Sequence, residues 1–421
     1  MTIDYTALTN GMGVISEHID HVESVSLGIW LKKGSRHEPA RQNGMFHFIE
    51  HTLFKGTPSR SAREIAEAFD GIGGTLDAYT GKEETCYFIR VRGKHLDQGL
   101  DILADMLSRP VFKDEELDRE RQVILEEIRM VEDTPEDMAF EKCLQHFWQG
   151  HAMGRPILGS PKNLNRFSQA ETHAFHKEHY RLGDMVCAVA GNVNHRHLTE
   201  RLEELFEHSD MRGMGSATVK PPQNRAFQTY IPSDHFEQVH FLICFPGLYH
   251  THNQIAVIGL LSTVLGGGMS SRLFQSVREE RGLAYNIGSF SSSYSDCGHL
   301  SVYGACSPGN FEQTLGLCLK EIDRLKNDGI TLDELARAKE QVIGNLTMGL
   351  ENTYQRAAAL AKRAITHQEI FDLDKTVAKI EGILAGEIME TARQCLIDDE
   401  MGILALGALP KKPTTRWSIG H

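Results

Sequence analysis

The sequence predicts an α+β protein built from two homologous halves, each a mainly antiparallel sheet packed with helices. Its 421 residues are too many for one ordinary core, and the order of predicted strands and helices occurs twice along the chain. One helical segment also recurs in both parts. We expect a first half over residues 1–210, a linker over 211–224 and a second half over 225–421.

Short apolar runs between turn residues predict the strands of the first half. These strands cover residues 13–16, 24–31, 75–79, 85–91 and 185–189. One helix follows Gly44, and a second begins at Ser61, where Glu64 completes a capping box, and ends at Gly71. Further helices are expected over 97–107, from 114 to the Thr134-Pro135 pair, and near 198–206.

A glycine- and proline-rich stretch from Met211 to Pro222 predicts the linker, and the same order of elements follows it. Predicted strands cover residues 226–231, 239–245, 284–292, 299–305 and 401–406. Predicted helices cover residues 254–265, 310–326 and 332–350. The repeated order favours an internal duplication.

An ungapped comparison of residues 116–130 with residues 334–348 supports the duplication. Four positions are identical, namely Glu116/Glu334, Leu117/Leu335, Arg119/Arg337 and Met130/Met348. The same comparison places Glu127 opposite Asn345 and Glu120 opposite Ala338, and residues 254–261 contain no histidine. The first half therefore carries a set of chemical groups that the second half lacks.

The most informative segment of the first half is H-F-I-E-H, residues 47–51. On a helix, His47 and His51 project from one face, as two ligands of one metal ion must, and Glu50 lies beside them as a base for water. This order is the inverzincin arrangement. In a chain with 21 histidines, two at helical spacing also arise by chance, so both interpretations stand on the segment alone.

A third zinc ligand is needed, and Glu127 is a candidate for it. Glu120 precedes it by seven residues, so both carboxylates face the same side of one helix. One could bind the metal while the other orients a ligand or the water. The alternative is a solvated helix face, which is the more common meaning of paired glutamates.

The segments HFIEHTLFKGT, GGTLDAYT and ERQVILEE together resemble the pitrilysin-type metallopeptidase family. They are most similar to the branch of the mitochondrial processing peptidase β-subunit and its bacterial relatives. The resemblance implies one Zn²⁺ per chain, held by His47, His51 and Glu127, with Glu50 as the general base. It also implies a supporting role for Glu120.

The second half resembles the same family through GGGMSSRLF (residues 266–274) and REERGLAY (residues 278–285). The resemblance implies that Arg278 and Tyr285 reach the zinc-binding half. Arg278 could hold a substrate carbonyl or carboxylate, and Tyr285 could donate to a developing oxyanion. Arg278 alone would also fit an exposed helix charge. The three glycines could form a phosphate-binding loop, but the G-K-[ST] motif of such a loop does not follow them. We therefore interpret them as a flexible, substrate-facing or hinge loop.

The segment after Gly73-Gly74 is too polar for a fully buried strand. It comprises Thr75, Leu76, Asp77, Ala78 and Tyr79. The resemblance implies an edge strand onto which an extended peptide adds by backbone pairing, with a preference for basic residues near the cut.

Composition limits the partners and the compartment. The formal net charge of −13 disfavours nucleic acid and anionic membranes, and no apolar run approaches the length of a membrane span. The eight cysteines form no C-x-x-C pair, and we recognise no signal peptide, so we expect a cytoplasmic protein. His173, His176 and His179 could suggest a second metal site, but ordinary polar helix residues surround them and no acid is placed as a base.

These observations predict a zinc endopeptidase that hydrolyses extended or presequence-like peptides, with two halves enclosing a chamber that must close to assemble the site. We expect a homodimer, or a heterodimer with a related zinc-free subunit. One alternative is a non-catalytic structural or assembly subunit, the role of the related core proteins of the respiratory cytochrome complex. Another is a chain that is active only with a zinc-free partner.

Overall fold

The computed structural model describes residues 2–215, 219–366, 372–409 and 416–419, so residues 216–218 of the predicted linker lie outside it. The strands are β1 (Thr2–Ala7), β2 (Gly13–His18), β3 (Ser24–Leu31), β4 (Thr75–Thr80), β5 (Thr85–Arg92), β6 (Met185–Gly191), β7 (Phe227–Pro232), β8 (Val239–Pro246), β9 (Ala284–Ser293), β10 (Gly298–Cys306) and β11 (Gly402–Gly407). The helices are α1 (Met45–Leu53), α2 (Ala62–Ile72), α3 (Leu96–Ser108), α4 (Asp114–Asp133), α5 (Pro135–Phe147), α6 (Pro161–Leu164), α7 (Gln169–His179), α8 (His195–Phe206), α9 (Ile255–Gly266), α10 (Phe311–Asn327), α11 (Leu332–Gly349), α12 (Thr353–Thr366), α13 (Leu373–Glu381) and α14 (Ala385–Cys395).

Two compact units are present, and each contains one sheet. The first sheet has the strand order β1-β2-β6-β3-β5-β4, and the second has the order β7-β11-β8-β10-β9. In the first sheet β2 and β6 are parallel and the other pairs are antiparallel. In the second sheet β7 and β11 are parallel and the other pairs are antiparallel. Five strands therefore match in order and direction, which confirms two homologous, mainly antiparallel α+β halves.

Each compact unit is drawn from three separate stretches of chain. The sequence had predicted two continuous halves. The first unit is drawn from Met1–Arg129, Arg155–Val219 and Met348–Phe371, and the second from Met130–Gly154, Lys220–Thr347 and Asp372–His421. Helix α5 of the first repeat thus belongs to the second unit, while α12 of the second repeat belongs to the first.

Burial of apolar helix faces explains this exchange of helices. Ala139, Cys143 and Phe147 on α5 form a buried cluster with Leu242 and Leu404 of the second sheet. On α12, the buried residues Ala357, Leu360 and Ala361 pack with residues of the first sheet that include Trp30 and Val186. The other face of each sheet is covered by the remaining helices of its unit.

The predicted end of α2 at Gly71 is wrong. Ser61 caps the start of the helix and forms the expected capping box with Glu64, but the helix continues through Ile72. Gly73 ends it with φ of 62°, a left-handed conformation that glycine adopts without steric cost. None of the helices in the described part of the chain combines the length and apolar character needed to cross a bilayer.

Candidate metal centre

Helix α1 carries the H-x-x-E-H segment in the first unit. It begins after Gly44, whose φ is 101° and where a Cβ atom would lie 2.8 Å from the carbonyl oxygen of Leu158. Both the backbone conformation and the close approach therefore require glycine. The rings of His47 and His51 lie on one face of the helix, with centroids 4.6 Å apart and planes inclined by 61°.

A buried carboxylate, which the sequence did not reveal, holds the start of α1. Glu38 accepts hydrogen bonds from the backbone N–H groups of Gly44 at 2.8 Å and Phe46 at 2.7 Å. It also accepts one from Nδ2 of Asn43 at 3.0 Å. Glycine supplies no capping side chain, so Glu38 accepts hydrogen bonds from N–H groups that the first turn leaves free. It thereby orients the helix that carries the two histidines.

Glu127 of α4 meets both histidines. Its Oε2 lies 3.7 Å from Nε2 of His47, and its Oε1 lies 3.5 Å from Nε2 of His51. One ligand atom from each of the three residues lies within 4.8 Å of the others, and the described residues contain no second group of this kind. Ligand atoms around a tetrahedral zinc ion are about 3.3 Å apart. Two imidazoles and one carboxylate at this spacing fit zinc with small adjustments.

Glu120 contacts the ring nitrogen of His51 that does not lie toward Glu127. Its Oε2 lies 3.0 Å from Nδ1 of His51, and its Oε1 lies 2.6 Å from Nζ of Lys55. Burial alone would raise the pKa of Glu120, but hydrogen bonds from His51 and Lys55 outweigh burial and lower it. The ionised carboxylate holds a proton of His51 on Nδ1, which leaves the lone pair of Nε2 available to a metal ion beside Glu127.

The two histidines differ in their surroundings. Burial, together with the charge of His51, lowers the pKa of His47 to about 3, so this ring is neutral at ordinary pH. Burial also acts to lower the pKa of His51, but the hydrogen bond to Glu120 and the charges of Glu127 and Glu50 raise it overall. Nδ1 of His47 is buried and has no hydrogen-bond partner in the described part of the chain.

Glu50 lies on the same helix, 9% exposed, and contacts the end of β4. Thr80 Oγ1 donates a hydrogen bond to Oε2 of Glu50. Burial raises the pKa of Glu50, although the hydrogen bond from Thr80 and the charge of His51 oppose this shift. A carboxylate with a raised pKa beside a metal site is suited to accept and return a proton near neutral pH.

Strand β4 contains the segment from Thr75 to Tyr79 and forms one edge of the first sheet. It pairs with β5 on one side, and no strand within the described ranges pairs with its other side. Its residues are partly exposed, in agreement with the polar character of the segment. Thr80 is the last residue of β4 and contacts Glu50, so this edge of the sheet ends beside the candidate base.

Arg278 and Tyr285 lie in the second unit and contact each other. Arg278 belongs to a π-helical segment, Phe274–Glu279, and its guanidinium carbon lies 4.7 Å from the Phe274 ring centre and 4.5 Å from that of Tyr285. Tyr285 is 78% exposed. Arg278 is thus held by two rings rather than projecting freely, and π-helical segments often occur at functional sites. The roles of both residues at the zinc site remain predictions.

The three histidines of α7 have structural surroundings. Nε2 of His176 lies 3.0 Å from the carbonyl oxygen of Leu107, and its ring stacks on Tyr180. His173 packs edge-on against Phe112. Across the described ranges, these histidines belong to no group with metal-binding geometry.

Comparison with known proteins identifies the family of the chain. Residues 13–161 match the family described as insulinase (peptidase family M16), and residues 166–342 match the peptidase M16 inactive domain. An uncharacterized zinc protease of Streptomyces coelicolor is 35% identical over 421 residues, covering 99% of this chain and 92% of the relative. The uncharacterized zinc protease YmxG of Bacillus subtilis is 37% identical over 390 residues, covering 93% of this chain and 95% of the relative.

A crystal structure of a peptidase M16 inactive domain from Pseudomonas fluorescens has the same fold. Its TM-score is 0.92 at 19% identity, and the match covers 98% of this chain and all of that one. The likeness in structure extends over both units, and the likeness in sequence to the two zinc proteases extends over nearly the whole chain. The chain belongs to peptidase family M16, and its first matched domain carries the histidine and glutamate cluster.

Proposed function

We propose that the chain is a zinc-dependent endopeptidase. The observation that carries the proposal is the convergence of His47, His51 and Glu127 to within 4.8 Å, with the buried carboxylate of Glu50 on the same helix. When bound, zinc would supply a Lewis acid that activates water and polarises a peptide carbonyl. The relatives named zinc proteases support this chemistry.

Side chains of the protein would carry out the proton transfer, orient the catalytic groups and bind the substrate. Glu50 accepts a proton from the attacking water and passes it to the leaving amine, for which its raised pKa is suited. Thr80 holds one oxygen of Glu50 through its hydroxyl, which fixes the orientation of the carboxylate. Glu120 keeps His51 in one tautomer. Tyr285 would donate to the oxyanion and Arg278 would bind a substrate carbonyl or carboxylate.

Extended peptides are the substrates that the edge of β4 fits best. A peptide that adds to this edge pairs through its backbone, so binding depends little on sequence. The strand ends at Thr80, beside Glu50, so a peptide in this register passes the base. Asp77 on β4 adds negative charge near Glu50, which favours substrates with basic residues near the cut, including presequence-like peptides.

A mass-spectrometric map of cut sites in a peptide library tests the proposal. The wild-type protein, with its zinc content measured, is compared with Glu50→Gln. We expect internal cuts from the wild type and none above background from the variant. A wild-type protein that carries no zinc, together with a cut map that Glu50→Gln leaves unchanged, would contradict the peptidase and favour a non-catalytic structural subunit. Zinc in a chain that cuts only when a zinc-free relative is added would show dependence on a partner subunit.

We also propose a homodimeric or heterodimeric protein in the cytoplasm. Seven of the eight cysteines are buried, as small reduced side chains in a reducing compartment commonly are. Light scattering of the purified chain measures the oligomer. A mass of one chain over the working concentration range would contradict the homodimer.

A further inference from the structure

A charged pocket of ≈ 550 Å³ lies in the second unit, lined by the segment after the three glycines and by α10 and α11. This volume is typical of small-ligand sites. Five cationic side chains line the pocket, namely Arg272, Arg281, Lys320, Arg324 and Arg337. The carboxylates that line it are Glu280, Glu321 and Glu334. The lining therefore has two more positive than negative groups, in a chain whose formal net charge is −13.

The buried part of the pocket is held by an ion pair between Arg272 and Glu334. Nε of Arg272 lies 2.7 Å from one carboxylate oxygen, and Nη2 lies 3.0 Å from the other. Nη2 also donates to the carbonyl oxygen of Gly329 at 2.7 Å. Nη1 is buried and has no hydrogen-bond partner within the described ranges. Arg272 therefore contributes a positive charge to the lining and has one N–H group that its protein partners leave unused.

The hydroxyl of Ser276 is a second buried donor without a partner among the described residues. Ser276 lines the pocket and is 7% exposed. Its backbone carbonyl oxygen accepts from Arg281 Nη1 at 2.6 Å, which fixes Arg281 beside it. The lining thus combines a serine with several arginines, residue types that bind phosphate oxygens in many proteins.

The excess charge belongs to two residues at the rim. Glu280 pairs with Arg281 at 2.7 Å, and Glu321 pairs with Arg324 at 3.0 Å. Lys320 and Arg337 are exposed and form no ion pair or hydrogen bond with the described residues. These two cations are therefore available to a ligand that enters the pocket.

The chemistry of the lining selects the class of ligand. Among the described residues that line the pocket, Leu317 is the one apolar side chain and none is aromatic. A ligand that depends on ring stacking or apolar contact would find no complementary surface there. We propose that the pocket binds a phosphate dianion, either as free phosphate or as the phosphate group of a small polar ester. It contains none of the zinc-site residues, so the inference stands apart from the proposed peptidase activity.

Isothermal titration of the full-length protein at constant ionic strength tests this site. The probes are inorganic phosphate, glycerol phosphate and, as a monovalent carboxylate, acetate. We expect saturable binding of phosphate or glycerol phosphate and much weaker binding of acetate. Tighter binding of inorganic phosphate would identify a site for the free anion, and tighter binding of glycerol phosphate would identify a site for an ester.

Substitutions at the rim locate the site. Lys320→Gln and Arg337→Gln each remove one free charge from an exposed position, so the fold should be retained, and each should weaken binding by about tenfold or more. Lys326→Gln removes a lysine from α10 outside the pocket lining and should leave binding unchanged. No saturable binding of either phosphate probe, acetate binding of equal strength, or equal effects of all three substitutions would overturn the proposal.

Discussion

Nδ1 of His51 lies 3.0 Å from Oε2 of Glu120, a buried carboxylate that belongs to a different helix. This contact sets the tautomer of one candidate ligand, and Lys55 holds the other oxygen of the same carboxylate at 2.6 Å. Replacing Glu120 with Gln should weaken zinc affinity about 10–100-fold, because outer partners of metal-binding histidines contribute that much. Competition with a chromogenic chelator measures the affinity.

Lys55→Met serves as the companion variant. It leaves the carboxylate of Glu120 in place but removes its ion pair with Lys55. Zinc affinity should therefore also fall, but by less than in Glu120→Gln. Affinities within twofold of the wild type for Glu120→Gln would show that the contact does not support the metal site.

Glu127 and its neighbour Glu126 provide a matched pair for the third ligand. Glu127→Gln should lower zinc affinity by more than about 100-fold, since the loss of an outer partner alone costs about 10–100-fold. Glu126 points away from the histidines, is 65% exposed and pairs with Arg129. Glu126→Gln should therefore retain full zinc content in an elemental analysis. Equal zinc content in both variants would assign the ligand elsewhere.

Zinc affinity should depend on the titration of one histidine. His47 has a pKa of about 3 and is already neutral, whereas the pKa of His51 lies above its usual 6.5. Zinc must displace the proton of His51, so affinity is lost as the pH falls through that pKa. The metal-free protein becomes more stable as the pH falls through the same range, because the folded-state pKa of His51 exceeds its unfolded value.

The number of protons released on zinc binding checks this asymmetry. Titration of the metal in buffers of different ionisation enthalpy at about pH 5.5, below the raised pKa of His51, should give close to one proton per zinc ion. Release of close to two protons would mean that both histidines are protonated before the metal binds.

Tyr285→Phe should lower kcat about 100-fold while leaving KM and zinc content nearly unchanged, since loss of one oxyanion donor costs about 10²–10³ in kcat. The ring that Arg278 contacts is retained in this variant, so the segment should keep its structure. Tyr249→Phe removes a hydroxyl from another exposed tyrosine of the second unit and should have no effect. Equal kcat values for the wild type and Tyr285→Phe would exclude Tyr285 from catalysis.

Local patterns were sufficient for most of the fold. The apolar runs of β3, β8 and β10 lie between turn residues, and their predicted bounds differ by few residues from the observed ones. Helices α5 and α12 were not predicted, and neither was their exchange between the units. Their buried faces become meaningful only against the sheets that they cover, and that packing is not encoded in the spacing of residues along either helix.

The site could be predicted where its residues share a helix, and less well where they do not. The spacing of His47, Glu50 and His51 specifies one helix face. Thr80, Lys55 and Glu38 were missed, although Lys55 follows His51 by four residues and carried a weak signal. Glu38 and Thr80 act through contacts that depend on the path of the chain between elements, for which the sequence holds no periodic signature.

Turnover of a quenched peptide by zinc-loaded wild type and Glu50→Gln, with metal content measured in both, is the most direct test of the proposed peptidase. Glu50 is not a ligand in this account, so the variant should bind zinc as the wild type does. Its kcat should fall by about 10²–10⁴, the range for loss of a general base. Equal zinc content with an unchanged kcat would contradict the account.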